Sequence, residues 1–207
     1  MFKAHRREST NGVASNQYCY MAAMEMQTIV SYSAKQYNLI HAKSDVSRGF
    51  AICYLKCSLL ALKDINAGTC KYFIVEKRMK IVTDQWFKVI NNAGTVTRGV
   101  AKLDAEVVEY LMAFAHWMYC VTGGYLMVTD LQGVVVPAAG ASATTAKKTI
   151  VQTDPAIHCT ANTRFGRTNL GVKGMALFFE SHECNQVCAA LHLKVPSDQE
   201  LAAMTVE

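Results

Sequence analysis

A histidine and two cysteines near the C-terminal end place the strongest constraint on how this chain can fold. They are His182, Cys184 and Cys188, in the segment FFESHECNQVC. Cys184 and Cys188 are four residues apart, so a helix would present both thiols on one side, with His182 where the chain enters that helix. Thiolate and imidazole ligands suit zinc, which structural sites hold in a closed tetrahedron. The spacing predicts a structural zinc site; the alternative is that both cysteines are small buried core residues.

A tetrahedral site needs a fourth ligand from elsewhere in the chain. The best candidate is His116, inside the apolar run from Leu111 to Tyr119. A single histidine in such a run is usually a core residue with its ring nitrogens hydrogen-bonded, but three ligands that lack a fourth favour metal binding here. His158 and His192 remain alternatives.

The composition is that of a folded globular protein. The chain has 207 residues, of which 51% are hydrophobic and 18% charged, enough for one large domain or two small lobes with a core. The net charge of +5 is modest and no Lys/Arg stripe is present, so we do not expect nucleic-acid binding. Eight cysteines without a signal peptide predict a reducing compartment, the cytoplasm.

One uncharged stretch, from Leu111 to Thr129, has the length of a membrane span. It contains His116 and the helix-breaking pair Gly123-Gly124, and Asp130 follows at once. We therefore expect a helix, a turn and a buried strand, and no membrane partner.

Hydrophobic periodicity predicts the main elements of the chain. Helices are expected over 20–39 and 103–119, and strands over 49–62, 70–76 and 125–129, the first two strands forming a hairpin. Cys53 and Cys57 would lie on one strand about 13 Å apart, too far for one zinc ion, and are predicted to be core residues.

Three further segments carry weaker patterns. Residues 77–99 indicate a long polar connection, 135–152 an exposed loop insertion rich in alanine and threonine, and 194–207 a polar tail.

Oxygen-bearing side chains stand at the predicted strand ends. Asp130 follows a hydrophobic strand, Gln132 comes two residues later, and Asp154 precedes a proline. On an extended segment Asp130 and Gln132 would point to the same side. Such hard ligands suit Mg²⁺, although turn chemistry explains the pattern equally well.

The segment from Gly166 to Gly171 has glycines where a phosphate-binding hexamer begins and ends, but lacks the middle one. We see no strand leading into it, so a dinucleotide-binding fold is not expected. The simpler interpretation is a loop of glycine and asparagine before a helix.

Four segments, in this order, resemble the alpha-kinases, which are atypical protein kinases. They are AFAHW at 113–117, VTDLQGV at 128–134, TDP at 153–155 and FGRTNLGVKGMALFF at 165–179, running on to Cys188. Weaker similarity reaches 25–27 and 75–76, so the resemblance covers most of the chain from Tyr20 onward. It implies an α+β, two-lobed, protein-kinase-like catalytic domain that transfers phosphate from ATP to serine or threonine of a protein substrate.

The resemblance also implies roles for individual residues. Asp130 would be the catalytic aspartate, and Gln132 and Asp154 would bind Mg²⁺ on the ATP phosphates. The remaining implied residues are the adenine-binding linker Glu76 to Met79, Asn92 in an asparagine-rich turn, the substrate loop with Gly166, Asn169 and Gly171, and the zinc ligands His116, His182, Cys184 and Cys188.

The chain departs from the alpha-kinase pattern near its N-terminus. It begins too late to hold the first strands of the N-terminal lobe, so that lobe is expected to be truncated. Lys3 is either the ATP-contacting lysine or an ordinary solvated residue in a frayed end. We assign 1–79 to the partial N-terminal lobe and linker, 80–193 to a zinc-stabilised C-terminal lobe and 194–207 to the tail. The alternative function is a zinc-stabilised pseudokinase or interaction module.

Overall fold

The protein combines helices with three small sheets. The structure is a computed structural model, and it describes residues 2–3, 17–42, 49–79, 85–97, 103–138 and 148–205. The strands are β1 (Phe2–Lys3), β2 (Phe50–Tyr54), β3 (Cys57–Asp64), β4 (Thr69–Glu76), β5 (Phe87–Lys88), β6 (Leu126–Thr129), β7 (Gln132–Pro137), β8 (Lys148–Gln152) and β9 (Ala156–Cys159). The α-helices are α1 (Gln17–His41), α2 (Ala105–Val121), α3 (Gly171–Ser181), α4 (Gln186–Ala190) and α5 (Asp198–Thr205).

The sheets pair strands from distant parts of the chain. Their strand orders are β1-β4-β3, β2-β8-β7-β5 and β6-β9. The predicted hairpin is confirmed as β3 and β4, which pair antiparallel from Cys57 opposite Glu76 to Asp64 opposite Thr69. The single strand predicted over 49–62 is wrong, because the chain leaves the ladder at 55–56 and β2 instead runs parallel to β8.

That break also overturns the prediction for two cysteines. Cys53 lies on β2 and is exposed, and Cys57 lies on β3 and is half-buried, with its Sγ 3.2 Å from the sulfur of Met24. Neither is a core residue, because Cys53 lies on the face of β2 opposite the buried Ile52 and Tyr54, and Cys57 begins a strand that is mostly exposed.

Three segments that composition marked as polar or irregular contain buried elements. The loop insertion predicted over 135–152 is wrong at both ends, because β7 reaches Pro137 and β8 buries Ile150 completely. The connection over 77–99 contains β5 and buries Val89 and Ile90. The tail contains α5, whose Leu201 packs against the core.

The core is built around α2. The helix begins at Asp104, whose carboxylate accepts the backbone N–H of Glu106 at 3.1 Å, a standard N-terminal cap. Its inner face stacks against α1 in an aromatic cluster in which the ring of Tyr37 contacts those of Tyr110 and Phe114 at 5.0 and 5.2 Å between centroids. Such pairs contribute on the order of 1 kcal/mol each beyond the area they bury.

The uncharged stretch from Leu111 to Thr129 divides as expected. Helix α2 ends at Val121, Gly123 and Gly124 adopt positive φ in a turn, and β6 follows as a fully buried strand. Among the residues that the structure describes, no helix combines the length and the apolar character needed to cross a bilayer.

The division into lobes at residue 79 remains a prediction. Strand β2 precedes that position and pairs through all five of its residues with β8, which follows it. The two predicted parts of the chain therefore share one sheet.

Candidate active site and metal centre

Asp130 lies at a sharp change of chain direction between two sheets. It follows β6, which pairs with β9, and precedes β7, which pairs with β8. Its φ of 58° is left-handed, so the expectation of one extended segment from Asp130 to Gln132 is wrong. The turn is stabilised by the backbone N–H of Val89, which donates to the carbonyl of Leu131 at 2.8 Å.

Lys88 forms an ion pair with the Asp130 carboxylate. The two side chains are 37% and 21% exposed, so both are partly accessible to solvent and to a ligand. Sequence reasoning missed Lys88, because it lies in a segment that was predicted to be an irregular connection. The signal that could have found it is the short apolar alternation around Phe87 and Val89.

Gln132 and Asp154 meet at the ends of adjacent strands. Gln132 begins β7, and its carbonyl accepts the backbone N–H of Thr153 at 3.3 Å. Its side-chain amide donates to the carbonyl of Asp154 at 3.5 Å. Asp154 is exposed and has a left-handed φ of 50°. An exposed carboxylate beside an amide oxygen is a donor set that fits Mg²⁺, which keeps several of its own waters.

Glu76 ends β4 and is only 4% exposed. Both of its carboxylate oxygens lie within hydrogen-bond distance of the Thr153 hydroxyl, at 2.9 and 2.8 Å. The linker that follows has exposed Lys77 and Arg78 and a half-buried Met79. The linker thus begins at a buried contact with the residue next to Asp154.

Asn92 lies in a tight turn against α3. The turn closes on the side chain of Asn91, which accepts the backbone N–H groups of Ala93 and Thr95 at 2.9 and 3.0 Å. The Asn92 carbonyl accepts from His158 Nε2 at 2.9 Å. The Asn92 side-chain oxygen is shielded from solvent and has no hydrogen-bond partner among the described residues.

His158 is therefore a structural residue and not the alternative zinc ligand that the sequence left open. Its Nε2 donates to the Asn92 carbonyl and its Nδ1 accepts the backbone N–H of Leu170 at 3.2 Å, so both ring nitrogens are used. Burial lowers the pKa of His158 to about 4, which keeps it neutral. His192, the other alternative, is exposed and lies outside the Cys/His cluster.

The loop from Gly166 to Gly171 is organised by Asn169. Its side-chain oxygen accepts the N–H groups of Cys159 and Gly171 at 2.9 and 2.8 Å, and its amide donates to the carbonyls of Ala161 and Arg164, both at 3.0 Å. No strand leads directly into the loop, since β9 ends at Cys159 and residues 160–165 form bends and turns before Gly166. Because the Asn169 side chain is hydrogen-bonded to the backbone around it, its role is to hold the loop in shape.

His116, His182, Cys184 and Cys188 form one cluster, with their ligand atoms all within 4.8 Å of one another. His116 Nδ1 lies 3.1 Å from His182 Nε2 and 3.7 Å from the sulfur of Cys184. His182 Nε2 lies 3.8 and 3.6 Å from the sulfurs of Cys184 and Cys188. The edges of a tetrahedron around zinc, from ordinary Zn–N and Zn–S bond lengths, are about 3.3 to 3.8 Å. The nitrogen–sulfur distances of 3.6 to 3.8 Å lie in that range, and the nitrogen–nitrogen distance of 3.1 Å is slightly shorter.

The cysteines reach the cluster from different local structures. Helix α3 ends at Ser181, and Cys184 lies in the extended link before α4, so the prediction that both cysteines share a helix is wrong. Cys188 lies on α4, which begins at Asn185 through hydrogen bonds from Val187 and Cys188.

The electrostatics of the cluster favour a cation. Burial lowers the pKa of His116, and burial together with the neighbouring His116 lowers that of His182 to about 4, so both are neutral ligands. Burial raises the pKa of the Cys188 thiol to about 11, and a metal ion would reverse that effect. His116 Nε2 lies 3.1 Å from the Lys194 carbonyl, and donating to it leaves the Nδ1 lone pair facing the cluster. These residues fit zinc.

Comparison with known proteins identifies the family. The sequence profile described as the Alpha-kinase family matches residues 2–188. This chain belongs to the alpha-kinase family. It is 32% identical over 178 residues to alpha-protein kinase vwkA of Dictyostelium discoideum, covering 86% of this chain and 25% of that protein. It is 35% identical over 112 residues to eukaryotic elongation factor 2 kinase of Homo sapiens, covering 54% of this chain and 13% of that protein.

Solved structures agree on the fold. The alpha-kinase domain of myosin-II heavy chain kinase A in complex with AMP-PNP matches with a TM-score of 0.69 at 23% identity, covering 94% of this chain and 63% of that one. A novel alpha kinase from Entamoeba histolytica matches with a TM-score of 0.68 at 25% identity, covering 90% and 68%. The chain has the mixed fold of an alpha-kinase catalytic domain, and it spans a quarter or less of the length of these two curated relatives.

One expected alpha-kinase residue, Lys3, is described through its backbone. Lys3 pairs with Ile74 in the register of β1 and β4, so it lies in a sheet and the alternative of a frayed end is wrong. The described residues thus include β1 beside β4, the strand that leads into the Glu76 linker.

Proposed function

We propose that this chain is an ATP-dependent serine/threonine protein kinase of the alpha-kinase type, acting on a protein substrate in the cytoplasm. The observation that carries the proposal is the ion pair between Asp130 and Lys88 at the strand ends that also hold Gln132 and Asp154. Phosphoryl transfer requires positioned charges more than covalent chemistry from the protein. The family assignment supports the same reaction class.

In this proposal Asp130 acts on the substrate hydroxyl. The hydroxyl oxygen attacks the γ-phosphorus, the bond to the β–γ bridging oxygen breaks, ADP leaves, and the Asp130 carboxylate takes up the hydroxyl proton. Lys88 keeps Asp130 oriented and places a positive charge beside the transferred group. Both side chains are only partly exposed, and charges that are partly shielded from water act more strongly than charges in bulk solvent.

Gln132 and Asp154 would hold Mg²⁺, which when bound neutralises phosphate charge on ATP. The backbone of the linker from Glu76 to Met79 would bind adenine, and Asn92 is proposed as a further residue of the ATP site. Lys3 is proposed as the lysine that contacts ATP phosphate.

The remaining proposed roles concern support and substrate. His116, His182, Cys184 and Cys188 would hold a structural zinc ion that fastens the link between α3 and α4 to α2. Gly166 and Gly171 would border the loop that positions the protein substrate, with Asn169 fixing its shape.

The test is phosphate transfer from labelled ATP to a serine/threonine peptide library. Asp130→Asn should lower the rate at least about a thousandfold, because the carboxylate is lost from the transition state. Asp64→Asn, at the exposed end of β3, is the matched control and should keep the wild-type rate. Thermal stabilisation by Mg·ATP should persist in both variants.

Retained turnover in Asp130→Asn would mean that another group accepts the proton. If the wild-type chain neither transfers phosphate nor gains stability from Mg·ATP, the kinase proposal fails and an inactive interaction module becomes the better explanation.

A further inference from the structure

We infer that Glu76 and Thr153 are positioning residues that couple adenine binding at the linker to Mg²⁺ binding at Asp154. The inference rests on the proposed function. It assigns to the Glu76 side chain a role separate from that of its backbone in the linker.

The contact joins two separate sheets. Glu76 is the last residue of β4, in the sheet β1-β4-β3, and Thr153 directly follows β8, in the sheet β2-β8-β7-β5. The Thr153 hydroxyl lies 2.8 and 2.9 Å from the two carboxylate oxygens of Glu76. The residues are 4% and 2% exposed, so this hydrogen bond is shielded from water.

Burial of the Glu76 carboxylate carries a free-energy cost. A carboxylate out of water costs several kcal/mol unless it accepts strong hydrogen bonds, and a hydroxyl donating to a carboxylate is among the stronger ones. A residue that served only to fill space here would be apolar. The buried acid and the alcohol beside it therefore indicate that a defined distance between the two sheets is being held.

Thr153 is also held from its other side, next to the proposed metal ligand. Its backbone N–H donates to the Gln132 carbonyl at 3.3 Å, and the Gln132 side chain reaches the Asp154 carbonyl at 3.5 Å. Asp154 follows Thr153 directly, so the position of its carboxylate depends on where Thr153 is fixed. A displacement of the linker at Glu76 would reach Asp154 across a single intervening residue, Thr153.

The physical consequence is reciprocal coupling. If adenine fixes the linker, Glu76 fixes Thr153 and the carboxylate of Asp154 is oriented before Mg²⁺ arrives. Mg²⁺ must then strengthen adenine binding by the same factor, because the coupling free energy between two sites is symmetric.

The experiment compares ligand affinities by calorimetry in wild type, Thr153→Val and Thr153→Ser. Binding of ATP is measured with Mg²⁺ present and with Mg²⁺ omitted, without chelator so that the cysteine cluster is undisturbed, and adenosine reports the linker alone. Thr153→Val should reduce the gain in ATP affinity from Mg²⁺ about tenfold. Adenosine affinity should change much less, and Thr153→Ser should restore the wild-type gain. Thr160→Val, at an exposed threonine, is the control and should change nothing.

A double variant distinguishes loss of the coupling from misfolding caused by a buried charge. Thr153→Val leaves the Glu76 carboxylate buried without its hydroxyl donor, whereas Glu76→Gln/Thr153→Val buries no charge and should lose the same Mg²⁺ gain. A purely structural role would lower ATP and adenosine affinity together, and that result, or an unchanged Mg²⁺ gain in the double variant, overturns the inference alone. A wild-type chain that binds no ATP overturns the proposed function, and the inference with it.

Discussion

His158 connects the asparagine turn to the loop that precedes α3. It donates to the Asn92 carbonyl and accepts from the Leu170 N–H, and it can do both only as a neutral imidazole. Its completely buried ring is a titratable group held in its uncharged form. Protonation of His158 at low pH should therefore destabilise the fold.

The first prediction concerns pH. The pKa of His158 is lowered from 6.5 to about 4, so the unfolded state binds the proton more tightly than the folded one. The stabilising contribution of neutral His158 is full above about pH 6.5 and is lost as the pH falls towards 4, on the order of 3 kcal/mol in total. The free energy of unfolding should be measured by urea titration for wild type and His158→Gln from pH 7.5 to 4.5. It should fall less towards low pH in the variant than in wild type.

The comparison isolates one group, because the other ionisable residues are common to both proteins. His192→Gln, at an exposed histidine, should follow the wild-type curve. Parallel curves for wild type and His158→Gln would show that His158 does not carry the acid sensitivity.

At the residue scale, sequence reasoning performed best where a side chain needs a particular neighbour. The proposed zinc ligands were chosen because thiolates and imidazoles at that spacing have few other uses, and the structure brings His116 to the other three. Lys88 was missed because its partner Asp130 comes from another strand, and no spacing within the sequence connects them. The prediction for Cys53 and Cys57 is wrong because one strand is expected over 49–62, whereas the two cysteines lie on separate strands, β2 and β3.

Among the elements, helix α3 depends on a close approach to the asparagine turn. Gly94 has a φ of 75°, and a Cβ placed on it would lie 2.7 Å from the backbone nitrogen of Phe178. The Gly94 carbonyl also accepts the hydroxyl of Ser181 at 2.6 Å. Only glycine allows the turn and the helix to meet at this distance.

The second prediction tests the close packing of Gly94 against α3. Gly94→Ala should lower the free energy of unfolding by about 2 to 4 kcal/mol, combining backbone strain with displacement of α3. Gly68→Ala is the control, since Gly68 also has a positive φ of 63° but open space around it. Its cost should be about 1 kcal/mol, from backbone strain alone. Equal losses in urea titrations of the two variants would remove the packing explanation.

Long helices and the β3–β4 hairpin were predictable, because each contains its own repeating pattern. Strands β8 and β9 were not, because they are only five and four residues long and their burial comes from partners elsewhere. β8 lies between β2 and β7, so a segment that composition marks as an exposed insertion becomes a central strand. Short strands take their stability from neighbours that the local sequence does not contain.

On the scale of the whole molecule, the Cys/His cluster joins helix α2 to the region between helices α3 and α4. His116 comes from the middle of α2, and His182, Cys184 and Cys188 come from the region between α3 and α4. The bond from His116 Nε2 to the Lys194 carbonyl extends this network towards α5. Metal binding here is expected to be part of the folding free energy.

The third prediction follows from that network. The purified protein should contain one zinc per chain, and Cys188→Ala should lose the metal and several kcal/mol of stability. Cys53→Ala, at an exposed cysteine outside the cluster, should keep both. Elemental analysis and thermal unfolding provide the readouts. Full zinc occupancy in Cys188→Ala would exclude that cysteine as a ligand.

The parallel pairing of β2 with β8 limits how this molecule can change shape. Five consecutive residue pairs join Phe50–Tyr54 to Lys148–Gln152, so a cleft that opens without breaking them cannot carry β2 away with the hairpin. The chain leaves this sheet at residues 55–56 and then enters the β3–β4 hairpin of another sheet. In any such change of shape β2 should therefore move with β7 and β8, and not with the β3–β4 hairpin that follows it in the chain.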